Sequence, residues 1–389
     1  MDKNRSMPVG LKPETHMPQL DGLRAIAALI IVYVHWIHHG DLFGTPWGDI
    51  GVQLFFVLSG FLITGILLKA REIPEQSPLL TLRQFYIRRA LRIFPLFYAT
   101  IAILVLFNVP HFRETWPWHA AYLSNIYFYQ NGFGGPGGHF WTLAVEEQFY
   151  LLFPVLLLLA PRKALVPLIV ACLASAPIYR YASGSGLIGD PKGCYWLQLP
   201  ASLDSLAYGA ALAWMRKHLT VHVYKRLVTA ILLLSILTYG ASHLFNWFGD
   251  IKKTCVALIL GWIVALAGDQ VKGVTGRVLE SRILSEIGKR SYGLYVIHAF
   301  APSIWIWLMY HSPIPGYRIA LRLGIPESFF GNWYFEKFAW TLLTAFLTYV
   351  SFRFLENPLN QLKSSFPYRM KQLVLPIPSS THRIPKGNP

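Results

Sequence analysis

Apolar residues run along this chain in long blocks. Stretches able to cross a bilayer as helices lie at 20–38, 50–69, 93–109, 141–160, 163–179, 196–215, 226–244, 254–269, 291–310 and 334–355. Polar and basic residues gather in the short segments between them. An eleventh candidate, WPWHAAYLSNIYFYQ at 116–130, mixes aromatic with polar residues. Trp and Tyr favour the headgroup level, so this segment is expected to be interfacial or re-entrant. The pattern predicts an all-α fold: a polytopic membrane bundle of about ten helices. One transmembrane domain would cover 19–360. It would follow an N-terminal tail at 1–18 and precede a basic, Pro-rich tail at 361–389 with the composition of a disordered segment. No internal repeat and no second folded domain is legible.

Composition agrees with that reading. Of 389 residues, 54% are hydrophobic and 14% charged, too apolar for a soluble domain of this size. The 35 Lys and Arg against 19 Asp and Glu leave a net charge of +16. On a soluble protein this could mean nucleic-acid binding. Here the cations sit in short loops between apolar blocks, which is a topology signal, and no nucleic-acid partner is expected. With a cytoplasmic N-terminus, 27 of the 35 fall on the cytoplasmic side. Counting 116–130 as a span would invert every later loop and spoil the bias. Both termini are therefore expected in the cytoplasm. The first apolar run is too long for the core of a cleavable signal peptide.

The three cysteines, Cys172, Cys194 and Cys255, are odd in number and form no CxxC, so neither a disulfide framework nor a metal site is expected. GFGGPGG at 132–138 lacks GK[ST] and is not a phosphate-binding loop; it reads as a flexible external loop or lid.

Ionisable groups inside a span are costly unless paired or facing a wet cavity, which makes each a functional candidate. The first block, LDGLRAIAALIIVYVHW, carries Asp21, Arg24 and His35. Arg24 and His35 are eleven residues apart, about 20° beyond three full turns, so they share a face with a rise of about 16 Å between them. Asp21 lies one turn before Arg24 and can pair with it. The fourth block opens HFWTLAVEEQFYLLFP, and puts Glu146 and Glu147 at a depth similar to His35. Adjacent carboxylates point about 100° apart, so at most one faces His35. A carboxylate beside a histidine suits general-base chemistry. On this reading His35 is the base, Glu146 orients it and Arg24 holds the donor's charge at the inner end. Ser59-Gly60 in the second block permits close helix packing, and Ser59 is a weak nucleophile candidate without GxSxG. The basic stretch LRQFYIRRALRIFP carries Arg88, Arg89 and Arg92. It reads either as a topology and lipid anchor or as an anion site for a phosphorylated donor, since Arg forks match phosphate. In the ninth block Tyr292, Tyr295 and His298 are expected in the inner half. Asp204 lies within the sixth.

The ordered set of motifs resembles the acyltransferase-3 family of membrane O-acyltransferases. It comprises LDGLRAIAALIIVYVHW with its Arg-x10-His, GVQLFFVLSGFLIT, IRRALRIFP, WTLAVEEQFYLLFP, SYGLYVIHA and FLENPL, over about 18–360. The family decorates bacterial polysaccharides, lipopolysaccharide O-antigen and nodulation factors. The resemblance implies a multi-pass protein of the bacterial inner membrane with no bound cofactor. It implies an acyl-CoA donor, usually acetyl-CoA, drawn from the cytoplasm, and a glycan or glycolipid hydroxyl as acceptor, with membrane lipids around it. It assigns Arg24 and His35 to the essential helix, and Arg89 and Arg92 to the RxxR position. Asp21, Arg88, Arg89, Arg92, Ser59, Glu147, Tyr295 and His298 are the expected substrate-binding residues around the catalytic His35, Glu146 and Arg24. Some relatives fuse a C-terminal esterase-like domain, which is not seen here, so transfer would be completed alone or with a separate partner. A transporter or flippase for a glycolipid or small acid would also need buried Arg, His and Glu; the missing inverted repeat argues mildly against it.

Overall fold

A computed structural model of the chain describes residues 17–37, 40–42, 45–74, 76–244, 251–312, 315–330 and 332–368. The expected N-terminal tail, apart from its last two residues, lies outside the described residues. So do His38, the last residue of the first expected span, His39, and the tail beyond 368.

Among the described residues the architecture is helical, with one two-residue strand pair at Asp41–Leu42 and Thr45–Pro46. The helices are α1 (Pro18–Trp36), α2 (Trp47–Ala70), α3 (Pro78–Leu106), α4 (Phe112–Ala120), α5 (Ser124–Asn131), α6 (Phe140–Leu159), α7 (Leu165–Gly184), α8 (Leu199–His218), α9 (Val221–Leu244), α10 (Ile251–Gly268), α11 (Val274–Leu279), α12 (Arg282–Lys289), α13 (Ser291–Ile297), α14 (Ala301–Ile306), α15 (Gly316–Arg322), α16 (Glu327–Phe330), α17 (Trp333–Ser351) and α18 (Asn357–Gln361).

Among the described residues, eight segments are long and apolar enough to cross a membrane: α2, α3, α6, α7, α9, α10, the run from Ser291 to His311 and the run from Trp333 to Ser365. The other two expected spans form α1 and α8, 19 and 20 residues long, which fall outside that set. Both bury much of their length against other helices. A helix enclosed by protein needs little lipid-facing apolar surface, so it can carry Asp21, Arg24 or Asp204. The segment 116–130 folds as parts of α4 and α5, of 9 and 8 residues, each too short to span.

Two expectations about continuity change. The basic stretch before residue 93 is not a loop. It is the first half of α3, a single 29-residue helix that carries Arg88, Arg89 and Arg92 into the bundle. The ninth block, in contrast, is interrupted: α13 ends at Ile297, a 3-10 turn covers His298–Phe300 and α14 follows. Pro302 explains the break. It has no N–H to give to the carbonyl four residues back, at His298, and its ring crowds that carbonyl. The His298 carbonyl instead accepts from the Ala301 N–H and from the Trp36 indole N–H, 3.2 Å away.

Helix α2 is the central wall, with residues in both large apolar clusters. It meets α8 through reciprocal glycines. A Cβ on Gly60 would stand 1.9 Å from the Leu206 carbonyl oxygen, and one on Gly209 would stand 2.1 Å from that of Val57. No side chain fits at either position, which is the close packing that Ser59-Gly60 predicts.

Candidate functional site

Two cavities lie along α1, the inner named for the Arg24 end of the helix and the outer for its His35 end. The inner one, about 80 Å³, is lined by Arg24, Ser59, Arg89, Arg92, Glu146, Tyr150, Tyr292, Tyr295 and apolar neighbours. The outer one, about 960 Å³, is lined by His35, Trp36, His139, the 133–138 glycine-rich loop and apolar residues including Phe107, Phe300 and Trp307. Arg24 and His35, eleven residues apart on one helix, therefore open into different cavities. Thr142 and Tyr295 line the inner cavity. The Tyr295 hydroxyl contacts Thr142 and donates to the carbonyl of His139, an outer-cavity residue. A thin layer of hydrogen-bonded residues thus divides the two.

The inner cavity gathers charge. Arg24 Nη1 is 3.0 Å from Asp21 Oδ1, the pairing expected one turn apart. The Arg89 guanidinium lies 3.9 Å over the Tyr150 ring, and its buried Nε has no hydrogen-bond partner among the described residues. A buried cationic donor left open is costly, and an anionic ligand would satisfy it. Glu146 accepts from Ser59 and from Tyr150, which sits one helical turn on.

Several expected residues sit elsewhere than foreseen. The Arg88 guanidinium donates to the Lys363 and Phe366 carbonyls and covers the Tyr368 ring, so it is held by the C-terminal segment and lines neither cavity. Asp21 and Glu147 also line neither cavity. Glu146 does not orient His35: it belongs to the inner cavity, and His35 Nδ1 lies 2.7 Å from His298 Nε2. His298, expected in the inner half, is at the level of His35. It is 0% exposed and lines neither cavity, so it is not placed to touch substrate. Asp204 is an internal staple: with Arg180 at 2.9 Å and Thr254 at 2.7 Å it ties α7, α8 and α10 together.

Residues not singled out from sequence also build the site. Tyr150 is four residues after Glu146, a helical spacing that would have revealed it. His139 and Thr142 open α6, and Trp36 follows His35 directly. The glycine-rich loop, which the sequence does single out as an external loop or lid, lines the outer cavity, with positive φ at Gly132, Gly134, Gly135 and Gly137. Below it His119 is bonded to Ser124, stacked on Phe112 and pushed down to about 4 by burial. Among the described residues no three His, Cys, Asp or Glu side chains are arranged to hold a metal ion.

An acyltransferase domain family matches residues 17–355. The chain is 29% identical over 385 residues to the "Putative peptidoglycan O-acetyltransferase" of Bacillus subtilis, covering 88% of this chain and 55% of that one. It is 28% identical over 378 residues to the peptidoglycan O-acetyltransferase of Listeria monocytogenes, covering 89% of this chain and 56% of that one. The chain thus spans little more than half the length of these relatives. No solved structure matches.

Proposed function

Because the chain belongs to the acyltransferase family that matches residues 17–355, we propose that it is a membrane O-acetyltransferase. It takes an acetyl group from acetyl-CoA on the cytoplasmic side and delivers it to a glycan hydroxyl on the other side of a bacterial inner membrane. Peptidoglycan is the favoured acceptor, because it is the glycan in the names of the two relatives. The O-antigen suggested by the family resemblance gains no such support. The excess of Lys and Arg in one set of loops supports this orientation, with both termini cytoplasmic.

The observation that carries the reading is one helix with a cation at one cavity and a histidine at another. Arg24, Arg89 and Arg92 surround the inner cavity, and His35 lines the outer. The three guanidiniums suit the phosphates of a CoA donor. The thioester arm would pass where Thr142 and Tyr295 meet. His35 then takes the acceptor's hydroxyl proton, the oxygen attacks the thioester carbon, the C–S bond breaks and the proton leaves with the thiolate. Arg24 acts by holding the donor, and Glu146 with Ser59 by shaping the polar side of its path.

The test uses purified protein in lipid vesicles with acetyl-CoA and a peptidoglycan fragment. Free thiol should appear together with O-acetylated product. A transporter would release no CoA, and thiol release without acetylated glycan would sink the acceptor assignment.

A further inference from the structure

His35 and His298 are 263 positions apart in sequence and meet edge to edge. Their rings are tilted by only 1°, with centroids 4.9 Å apart, while His35 Nδ1 and His298 Nε2 are 2.7 Å apart. A face-to-face stack cannot bring two nitrogens that close with the centroids so distant, so the contact is an in-plane hydrogen bond. One ring donates and the other accepts.

The next bond along decides which. His298 Nδ1 lies 2.6 Å from the Tyr295 carbonyl oxygen. A carbonyl only accepts, so Nδ1 carries the hydrogen. A neutral imidazole has one N–H, which leaves His298 Nε2 as an acceptor. A doubly protonated His298 would bury a cation at 0% exposure beside two other histidines and, among the described residues, no carboxylate in hydrogen-bond contact, at high cost. The proton between the rings therefore belongs to His35 Nδ1, and the His35 lone pair is on Nε2.

We propose that His298 is a positioning residue for the reaction: it fixes His35 as the Nδ1–H tautomer and so turns Nε2 toward the outer cavity as the base. This rests on the reading of His35 as base given above. His298 is well anchored for the task. It sits at the break made by Pro302, its carbonyl is held by the Trp36 indole, and its ring is packed 5.4 Å from that of His139. A neutral acceptor also differs from a carboxylate in its effect. It orients the imidazole while stabilising the imidazolium less, so the proton taken from the hydroxyl passes readily to the leaving thiolate.

The experiment compares His298→Leu, which removes the acceptor, with His298→Gln, whose amide oxygen can reach the place of Nε2. Both are measured for kcat and donor KM at matched folded amounts in vesicles. Histidine ring 15N spectra are recorded in parallel, with the His35 signals identified by their loss in His35→Gln. The wild type should show His35 protonated on Nδ1 and bare on Nε2. His298→Leu should lose on the order of 10²-fold in kcat with donor KM unchanged, and His298→Gln should stay within about tenfold of wild type. Full activity in His298→Leu would overturn the proposal. So would equal loss in both variants at normal folded yield, or a His35 protonated on Nε2. If the wild type itself transfers no acetyl group, the proposed function has failed, and the nitrogen spectra alone decide the tautomer.

Discussion

The inner and outer cavities are built from the same helix by opposite means. The inner one is small, about 80 Å³, and holds three guanidiniums, a carboxylate and three tyrosines. The outer one is twelve-fold larger, about 960 Å³, and mostly apolar and aromatic, with His35, His111 and His139 among its polar residues. The inner wall is made of the long helices α1, α2, α3 and α6 and the short α13. The outer wall includes a glycine-rich turn and the interrupted run around Pro302. A site that grips a charged, invariant donor gains from a tight, polar fit. A site that receives parts of a large glycan gains from room and aromatic faces. On the proposed function, donor binding belongs to one cavity and proton transfer to the other, and each half of that proposal can be broken separately.

The sharpest separation is between kcat and KM at the two ends of α1. His35→Ala should lower acetyl transfer by roughly 10²–10⁴-fold, the usual contribution of a positioned base, with donor KM unchanged and normal membrane levels. A rise in donor KM would merge the two cavities into one functional unit. Arg92→Ala should do the converse. Removing a charge-assisted phosphate contact costs on the order of 1.5–3 kcal/mol, so donor KM should rise about 10- to 100-fold with kcat little changed. If only the amount of inserted protein falls, Arg92 is a topology anchor and the inner cavity is not the donor site.

Much of this division is legible in the sequence, and the exceptions have a common physical origin. Helical periodicity places Arg24 and His35 on one face, because both belong to one rigid element. The pairing of Asp21 with Arg24 is legible for the same reason. Contacts between elements are not. His35 could be matched to Glu146 by depth alone, but depth along two helices does not fix which sides face each other. The partner of His35 instead comes from a segment 263 residues away, brought to its level by a break at Pro302. Arg88 has the same charge and helix as Arg89 and Arg92, yet it turns to the C-terminal carbonyls. One residue of helix is about 100°, enough to send a side chain to another neighbour. The hydrophobic blocks gave element positions well, α1 and α8 included, and fell short where a helix starts well before its apolar block, as α3 does, or breaks inside one, as at Pro302.

A smaller effect probes the outer cavity's size. Ser303 lines it, is exposed and has no packed core to disturb. Ser303→Trp should narrow the cavity and raise acceptor KM by about tenfold, the scale of a pocket contact worth 1–3 kcal/mol, while donor KM stays at the wild-type value. Unchanged kinetics toward a glycan fragment, with the tryptophan present, would show that the acceptor does not use this cavity.

The smallest expected effect is a pH dependence confined to the outer side. His119 is 1% exposed, hydrogen-bonded to Ser124 and close beneath Gly137. Burial pushes it down to about 4 from an ordinary value near 6.5. The folded state therefore resists protonation that the unfolded chain accepts. The stabilisation is fully present above about pH 6.5 and is lost progressively as the pH falls from there toward 4. Between pH 7 and pH 5.5 the loss is about 1 kcal/mol by linkage. Hydrogen exchange should rise over that interval in α4, α5 and the glycine-rich loop, and not in the α3 segment that carries Arg89 and Arg92. His119→Gln, which keeps a polar group able to bond Ser124 and has no titration in this range, should flatten the dependence in the outer segments. Acid loosening of both regions in parallel, unaffected by His119→Gln, would mean that the two cavities open as one unit and that their separation is only geometric.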